Sequence, residues 1–188
     1  MPATADVSVR TAWSADASAI AAVQVTAWRD SYAALLPSDV LDQLDPEPFA
    51  ARWSSALDKP GDARNRVLVA LERNTVRGFA VTSPSPDPDA DPVTDGEIAE
   101  LMVDPAVRGA GHGSRLLQAC ADTLRADRFE RATTWVISTD DTGRSFLTAA
   151  GWAPDGAHRR LDLHGDTEVL VTQVRMHTDL TPPIEERA

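Results

Sequence analysis

The sequence predicts a mixed α/β domain in which one parallel strand–helix–strand crossover stands among antiparallel-type strands. Short runs of alternating apolar and polar residues, near the N-terminus and from residue 67 onward, indicate strands. Apolar residues spaced three and four apart, before residue 60 and after residue 112, indicate amphipathic helices. In the middle of the chain a strand at 96–103, a helix at 113–126 and a strand at 133–138 follow one another, and such a unit has parallel strands and a right-handed connection.

The first 60 residues predict one strand and three helical segments. Asp16 stands directly before an apolar pattern of helical spacing, where it is the expected N-cap. Pro37 ends that pattern, and Ser38 is placed to cap the next helix. Because proline suits the first turn of a helix, a third helix is expected after residue 45. The predicted segments are strand 7–10, helix 17–32, helix 38–44 and a helix that carries Phe49 and Trp53.

From residue 67 onward strands predominate, and residues 7–178 are predicted to form a single domain. The C-terminal residues 179–188, with two prolines and several charges, are expected to be a disordered tail. The remaining predicted elements are strands 67–72 and 76–83 joined by a short turn, then strand 96–103, helix 113–126, strand 133–138, helix 142–150, and strands 161–163 and 169–176.

Residues 83–95 contain four prolines and four aspartates. This composition is typical of a solvated loop and not of a packed element. A loop of this length is also long for a compact domain and suits a lid over a site. We favour the plain surface loop and keep the lid as an alternative.

Composition and charge exclude several functional classes. The 188 residues are 43% hydrophobic and 25% charged, as in an ordinary globular protein, and the net charge is −11. That charge repels phosphate backbones and anionic lipids, so no nucleic-acid or membrane partner is expected. The sequence has neither a membrane-spanning apolar run nor a signal-peptide pattern, and we expect a cytoplasmic protein. Cys120, the single cysteine, lies in an apolar helical pattern and is expected to be buried.

The segment 103–114 is the most informative part of the sequence, because a glycine-rich turn there joins a strand to the start of a helix. Glycines at 109, 111 and 113 are expected to allow a tight turn, with positive φ at Gly111 and Gly113, and to leave amide hydrogens accessible. The first amides of a helix bind anions, so a phosphate or pyrophosphate is the expected ligand, with Arg108 beside it. The lysine of a Walker loop and the last glycine of a dinucleotide-binding G-x-G-x-x-G motif are both missing.

This segment resembles the acyl-CoA loop of the GCN5-related N-acetyltransferase (GNAT) superfamily, whose pattern Arg/Gln-x-x-Gly-x-Gly/Ala is met by Arg108, Gly111 and Gly113. The preceding Met102–Pro105 and the later Phe146…Gly151-Trp152 match the family as well. The resemblance implies a central, twisted, mostly antiparallel sheet in which strands 96–103 and 133–138 splay apart. It implies acetyl-CoA as acyl donor, with CoA as product. The residues it assigns to the cofactor are Leu101, Met102, Val103, Arg108, Gly109, Ala110, Gly111, His112, Gly113, Ser114, Asp140 and Ser145. His112 is expected to be a solvated spacer in this loop.

Acetyl transfer to an amine needs a group that accepts a proton, and strand 96–103 offers Glu97 and Glu100. Their odd spacing places them on opposite faces of the strand unless a β-bulge intervenes. The resemblance puts Glu97 at the position of the family's general base, so we favour Glu97 and keep Glu100. Many relatives carry a tyrosine acid where this chain has Leu147, so Tyr32 or Ser145 is left as a substitute.

The resemblance therefore predicts an acyltransferase that moves acetyl from acetyl-CoA to a primary amine of a small molecule or peptide, by direct attack in a ternary complex. Trp28 and Tyr32 lie one helical turn apart and share a face, so both are candidates for the wall of the acceptor pocket. For Trp28 we favour packing in the core, with the pocket wall as the alternative. A non-catalytic acyl-CoA-binding or sensor module is the alternative, because of Leu147. The histidine spacing predicts no metal site. The sequence leaves open which amine is the acceptor and whether the protein forms a homodimer.

Overall fold

The computed structural model describes residues 7–163 and 169–181, and within them seven strands, five α-helices and two short 3-10 helices. The strands are β1 (Val7–Thr11), β2 (Arg66–Glu72), β3 (Thr75–Pro84), β4 (Asp95–Val103), β5 (Arg131–Ile137), β6 (Ala153–Asp162) and β7 (Leu170–Asp179). The helices are α1 (Ala17–Ser31), α2 (Ser38–Asp42), α3 (Pro46–Asp58), α4 (His112–Ala126) and α5 (Asp141–Ala149).

The strands form one sheet in the order β1–β2–β3–β4–β5–β7–β6. Every neighbouring pair is antiparallel except β4 and β5, which are parallel. The parallel ladder contains three residue pairs and ends where Glu97 lies beside Thr133. The mixed sheet with one parallel crossover and two splayed strands is therefore confirmed.

The sheet has a continuous apolar core on the face that α4 covers. Leu116, Cys120 and Leu124 of α4 are fully buried there, because the apolar residues of this helix recur at helical spacing. The sheet contributes alternate residues of β2, β3, β4, β5 and β7 to the same cluster, and α5 adds Leu147. Burial raises the pKa of the Cys120 thiol to about 12, so this cysteine is a structural core residue, as predicted.

The opposite face is covered unequally. Over β2 and β3, α1 and α3 close an apolar cluster in which Phe79 packs against Trp53 with ring centroids 5.3 Å apart. Over β5 and β7 that face carries Trp135 and Arg175, and the loop 85–94 lies against them. This loop has the predicted composition and approximate position, but Asp87 and Asp89 are bound to Arg175 of β7, whereas Asp91 bonds within the loop region.

Two elements differ from the sequence prediction. Strand β6 begins at Ala153, eight residues before the predicted 161–163, because it pairs with β7 although its sequence lacks apolar alternation. Asp16 precedes α1 as predicted, but its carboxylate accepts hydrogen bonds from the Trp13 amide and from Arg10 instead of capping α1.

The folded domain continues beyond residue 178, the predicted domain end, because Leu180 is buried in the core. Of the predicted tail, residues 182–188 lie outside the described residues. Within the described residues no helix is long and apolar enough to cross a membrane.

Candidate active site

A β-bulge in β4 places Glu97 and Glu100 on the same face of the sheet. Thr82 of β3 pairs with Ile98 while Val81 pairs with Glu100, so Ala99 is an extra residue in β4. Ile98 and Leu101 both pack in the α4-side core despite their odd spacing, which shows that the alternation shifts by one between them. The expectation that the two glutamates face opposite ways was therefore wrong, and both point away from α4.

Glu100 is held in an apolar setting. One of its carboxylate oxygens, Oε2, is buried and has no hydrogen-bond partner. Burial raises the pKa of Glu100 from its ordinary 4.5 to about 7, because the carboxylate loses hydration that no donor replaces. A carboxyl group that titrates near neutral pH is suited to accept a proton during a reaction.

Glu97 is 6% exposed and lies three residues earlier on the same face. Its pKa is raised by burial and then by the negative charge of Asp87, while the guanidinium of Arg159 opposes these effects. Glu97 thus belongs to a charged environment formed with the loop 85–94, whereas Glu100 lies beside the end of α1.

Tyr32 and Trp28 form an aromatic wall beside Glu100. Their ring centroids are 6.3 Å apart, and the Trp28 ring packs edge-on against Phe49 of α3 at 5.3 Å. Burial raises the pKa of Tyr32, and the charge of Glu100 raises it further, so the hydroxyl stays protonated at neutral pH. The Trp28 indole nitrogen is buried without a hydrogen-bond partner. Tyr32 thus lies beside Glu100, and Trp28 packs between Tyr32 and Phe49. Their role as a pocket wall stays a prediction.

The glycine-rich loop has the left-handed conformation at two positions. Gly109 has φ +82° and Gly111, which directly precedes α4, has φ +85°. Gly113 lies inside α4 without a positive φ, and an added Cβ there would meet only ordinary contacts with Phe146 and Val103. The expectation of positive φ therefore holds at Gly111 but was wrong for Gly113. Amides 112–114 occupy the first turn of α4, where they lack carbonyl partners within the helix.

Two polar side chains of this loop are not free in solvent. The guanidinium of Arg108 donates a hydrogen bond to Asp30 near the end of α1. His112 is 1% exposed, so the prediction of a solvated spacer was wrong. Burial lowers the pKa of His112, and its Nδ1 atom has no hydrogen-bond partner, so the ring is neutral at pH 7. Ala110 lies in the glycine-rich loop, and Ser114 lies in the first turn of α4.

The end of β4 provides an open strand edge next to this turn. Leu101, Met102 and Val103 pair with β3 on one side. On the other side the ladder to β5 has already ended at Glu97, so within the described residues no strand pairs with that edge. Backbone groups there face the gap between β4 and β5.

The residues predicted on α5 have mixed surroundings. Asp140 caps this helix by accepting a hydrogen bond from the Gly143 amide at 2.9 Å, and Ser145 is exposed. Leu147 is 6% exposed and packs in the α4-side core, so no hydroxyl group takes the place of the family's tyrosine at this position. Among the described residues no group of three or more His, Cys, Asp or Glu side chains is placed to hold a metal ion.

Sequence reasoning missed Arg159, a charged neighbour of Glu97, and it missed Trp135 and Arg175, which both donate hydrogen bonds to Asp87. Alternation in β5 and β7 could have placed Trp135 and Arg175 on one face. Their contact with the loop, however, joins residues far apart in the sequence.

A family model described as "Acetyltransferase (GNAT) family" matches residues 25–152. The chain belongs to the GNAT acetyltransferase family. It is 33% identical over 132 residues to the uncharacterized N-acetyltransferase YuaI of Bacillus subtilis (strain 168). The aligned region covers 70% of this chain and 72% of YuaI.

Solved structures have the same fold. YncA of Salmonella typhimurium, solved with acetyl-CoA, superposes with a TM-score of 0.70 at 20% identity, over 94% of this chain and 95% of that one. PaiA N-acetyltransferase of Thermoplasma acidophilum, solved with coenzyme A, gives a TM-score of 0.67 at 14% identity, over 93% and 99%.

Proposed function

We propose that this protein transfers an acetyl group from acetyl-CoA to a primary amine of a small molecule or peptide in the cytoplasm, by direct attack in a ternary complex. The observation that carries the proposal is the position of Glu100. Its carboxylate, whose buried Oε2 atom has no hydrogen-bond partner, directly precedes the open edge of β4, which is the place where an acyl donor would lie.

The donor fits the open edge and the glycine turn. The pantetheine arm carries amide groups, and it can add to the edge at Leu101–Val103 as a strand adds to a sheet. The pyrophosphate would accept hydrogen bonds from the loop and first-turn amides at 108–114, near Arg108. A backbone N–H near Met102 would donate to the thioester carbonyl and stabilise negative charge on its oxygen. Similarity to YncA and PaiA, whose structures contain acetyl-CoA and CoA, supports this donor.

We propose Glu100 as the general base, in place of Glu97, which the sequence favours. An aliphatic ammonium has a pKa of about 10.4 and must lose its proton before attack, so a carboxylate that accepts it at neutral pH is useful. The pKa of about 7 fits that task. Glu97 remains the alternative base, acting through water. Tyr32 is a candidate acid for the leaving thiolate, because its hydroxyl stays protonated.

A non-catalytic acyl-CoA-binding module is the second candidate, since the buried Leu147 occupies the position of the family's usual acid. A thiolate with a pKa near 8.5 leaves without strong assistance, and for this reason we favour the enzyme.

Steady-state release of CoA from acetyl-CoA with a panel of primary amines separates the two candidates. Turnover with at least one amine supports the enzyme, whereas binding of acetyl-CoA without turnover supports the module. Binding itself is tested by thermal unfolding, because a ligand at 100 times its Kd adds about 2.7 kcal/mol to the free energy of unfolding.

Gly111→Val is expected to weaken CoA binding at least tenfold, because it strains a residue with φ +85° at the start of α4. Gly61→Val, in open space with no positive φ, is the matched control and should leave the affinity unchanged. Unchanged affinity in the Gly111 variant would reject the turn as the phosphate site.

A further inference from the structure

A cavity of about 470 Å³ lies on the face of the sheet that carries Glu97 and Glu100, away from the glycine turn. Trp135 and Arg175 pair in register, and their neighbours Val136 and Met176 pack in the α4-side core, so alternation directs the first two to the opposite face. The volume suits a small ligand. The lining consists of Pro86, Asp87, Pro88, Asp89, Trp135, Ala157, His158, Arg159 and Arg175.

Arg175 holds one wall of this cavity in place. Its guanidinium contacts Asp87 at 3.1 Å, Asp89 at 2.6 Å and 2.7 Å, and Asp155 at 2.7 Å, and the Arg175 side chain is only 6% exposed. Asp87 and Asp89 belong to the loop 85–94, whereas Asp155 lies on β6. One side chain of β7 therefore ties this loop and β6 to the sheet.

The loop is also joined to the sheet at Trp135. The Trp135 indole N–H donates a hydrogen bond to Asp87 at 3.1 Å, and the guanidinium of Arg159 stacks 4.3 Å from the centre of the Trp135 ring. Buried ion pairs add little net stability because both partners lose hydration. They do define geometry, since a guanidinium bonds carboxylates in fixed directions. We therefore attribute to Arg175 a positioning role more than a stabilising one.

One lining residue, Trp135, places the cavity near the gap between β4 and β5. Trp135 lies two residues, or about 7 Å, beyond Thr133, which is the last residue of β5 that pairs with β4. Asp87 and Arg159 both line the cavity and are charged neighbours of Glu97. The glycine turn begins the helix that covers the other face of the sheet. A ligand in the cavity and an acyl donor on the turn would therefore approach the gap from opposite sides, as direct transfer between them requires.

We propose that this cavity binds the acceptor, a small polar primary amine, and that Arg175 is the positioning residue that builds it by holding the loop 85–94 in place. This inference rests on the proposed acetyl transfer. It assigns to the Pro/Asp-rich loop the role of a fixed pocket wall.

Filling the cavity provides the first test. Ala157→Trp places an indole in it, and we expect the KM for the amine to rise at least tenfold while the Kd for CoA stays within twofold. Ala149→Trp is the matched control, because Ala149 lines a cavity of similar size, about 480 Å³, beside α5. That control should leave the KM for the amine unchanged. An Ala157→Trp enzyme with the wild-type KM, or a control with an equal increase, overturns the proposal.

Arg175→Gln and Arg175→Lys test the positioning role. The Gln variant should raise the KM for the amine at least tenfold with a change in kcat below threefold. The Lys variant should recover part of that loss, because it keeps the positive charge but lacks the forked N–H donors of the guanidinium. Equal losses in KM, kcat and CoA affinity would show a merely structural role and reject the assignment.

Binding without turnover distinguishes failure of the pocket from failure of the proposed function. The indole N–H resonance of Trp135, assigned by its disappearance in Trp135→Phe, should shift when the amine panel is added to the wild-type protein. A shift without turnover supports the pocket and rejects the enzyme. Turnover without a shift supports the enzyme and rejects the pocket.

Discussion

The two halves of the sheet face opposite α4 are covered in different ways. Over β2 and β3, helices α1 and α3 bury apolar side chains such as Phe79 and Trp53. Over β5 and β7, the loop 85–94 is held by ion pairs that centre on Arg175. Glu97 and Glu100 lie on β4, the strand between these halves.

This difference separates stability from recognition. Apolar burial is non-directional and contributes about 25 cal/mol per Å² removed from water, so the apolar half can stabilise the fold. Buried charges contribute little net stability but have defined directions and remain polar. The proposed acceptor would need such a surface. The proposed base would need the low-polarity border of the apolar half, where Glu100 loses hydration without a partner. Strand β4, where the two halves meet, therefore borders both a polar surface and an apolar one.

The largest expected effect is at this boundary. Glu100→Gln should lower kcat about 10²–10⁴-fold near neutral pH, because the amide has the shape of the carboxyl group but cannot accept the proton. In the wild type, kcat should fall as the pH drops below about 7, since Glu100 becomes protonated. Steady-state rates between pH 5 and 9 measure both effects. If Glu97→Gln slows the enzyme more than Glu100→Gln, the base is Glu97.

The same substitution should stabilise the protein at high pH. The folded-state pKa of Glu100 is about 7, above the ordinary 4.5, so the wild type loses stability as pH rises from about 4.5 to 7. Glu100→Gln avoids this loss and should gain up to about 3 kcal/mol in the free energy of unfolding at pH 9, and nothing at pH 4. Urea unfolding at the two pH values measures the difference. An equal effect at both would show that Glu100 is not destabilised by burial.

The apolar half should be the more sensitive to truncation. Phe79 is fully buried, and Phe79→Ala should cost about 3–5 kcal/mol in the free energy of unfolding, with little dependence on salt. Val93 of the loop 85–94 is 68% exposed, so Val93→Ala is the control and should change stability by less than about 0.5 kcal/mol. Denaturant unfolding compares the variants, and similar losses would remove the distinction between the two halves.

The α4 face extends the comparison to a fully apolar surface. The sequence alone predicts that Leu147→Tyr, which restores the family's residue, is tolerated. The structure places Leu147 in a packed core, so the larger ring should cost about 1–3 kcal/mol in the free energy of unfolding. Urea unfolding tests this. A variant as stable as the wild type would show that the ring turns toward the gap between β4 and β5.

The smallest effect is expected at Asp89, an exposed residue of the loop 85–94 that covers β5 and β7. Arg175 lowers the pKa of Asp89 to about 2, so this pairing contributes above pH 4 and is lost as pH falls through about 2. The Asp89 side chain is 63% exposed, and Asp89→Asn should lower the Tm at pH 7 by no more than about 2 °C. The difference should shrink in 1 M NaCl. A larger drop that salt does not reduce would show that the loop contributes substantially to stability.

The elements that could be predicted are those whose pattern is local. The strands from β2 to β5, the helix after the glycine turn and the turn itself have their own periodicity or composition, and the structure places them within one or two residues of the prediction. Strand β6 could not be predicted over Ala153–Arg160, because it contains Pro154 and Gly156 and takes its conformation from pairing with β7. The loop 85–94 was predicted as polar, but its binding partner, Arg175, lies more than 80 residues away.

The sequence by itself determined the order of strands and helices, the glycine turn at the start of α4 and the presence of two carboxylates on β4, because these follow from residue types and their spacing. Only the tertiary structure decided where those carboxylates point and what surrounds them. The bulge at Ala99 depends on the register with β3, and it turns both glutamates to one face. Burial beside the end of α1 for Glu100, and burial beside Asp87 and Arg159 for Glu97, then separate their environments, since hydration and charge depend on neighbours that are distant in the sequence.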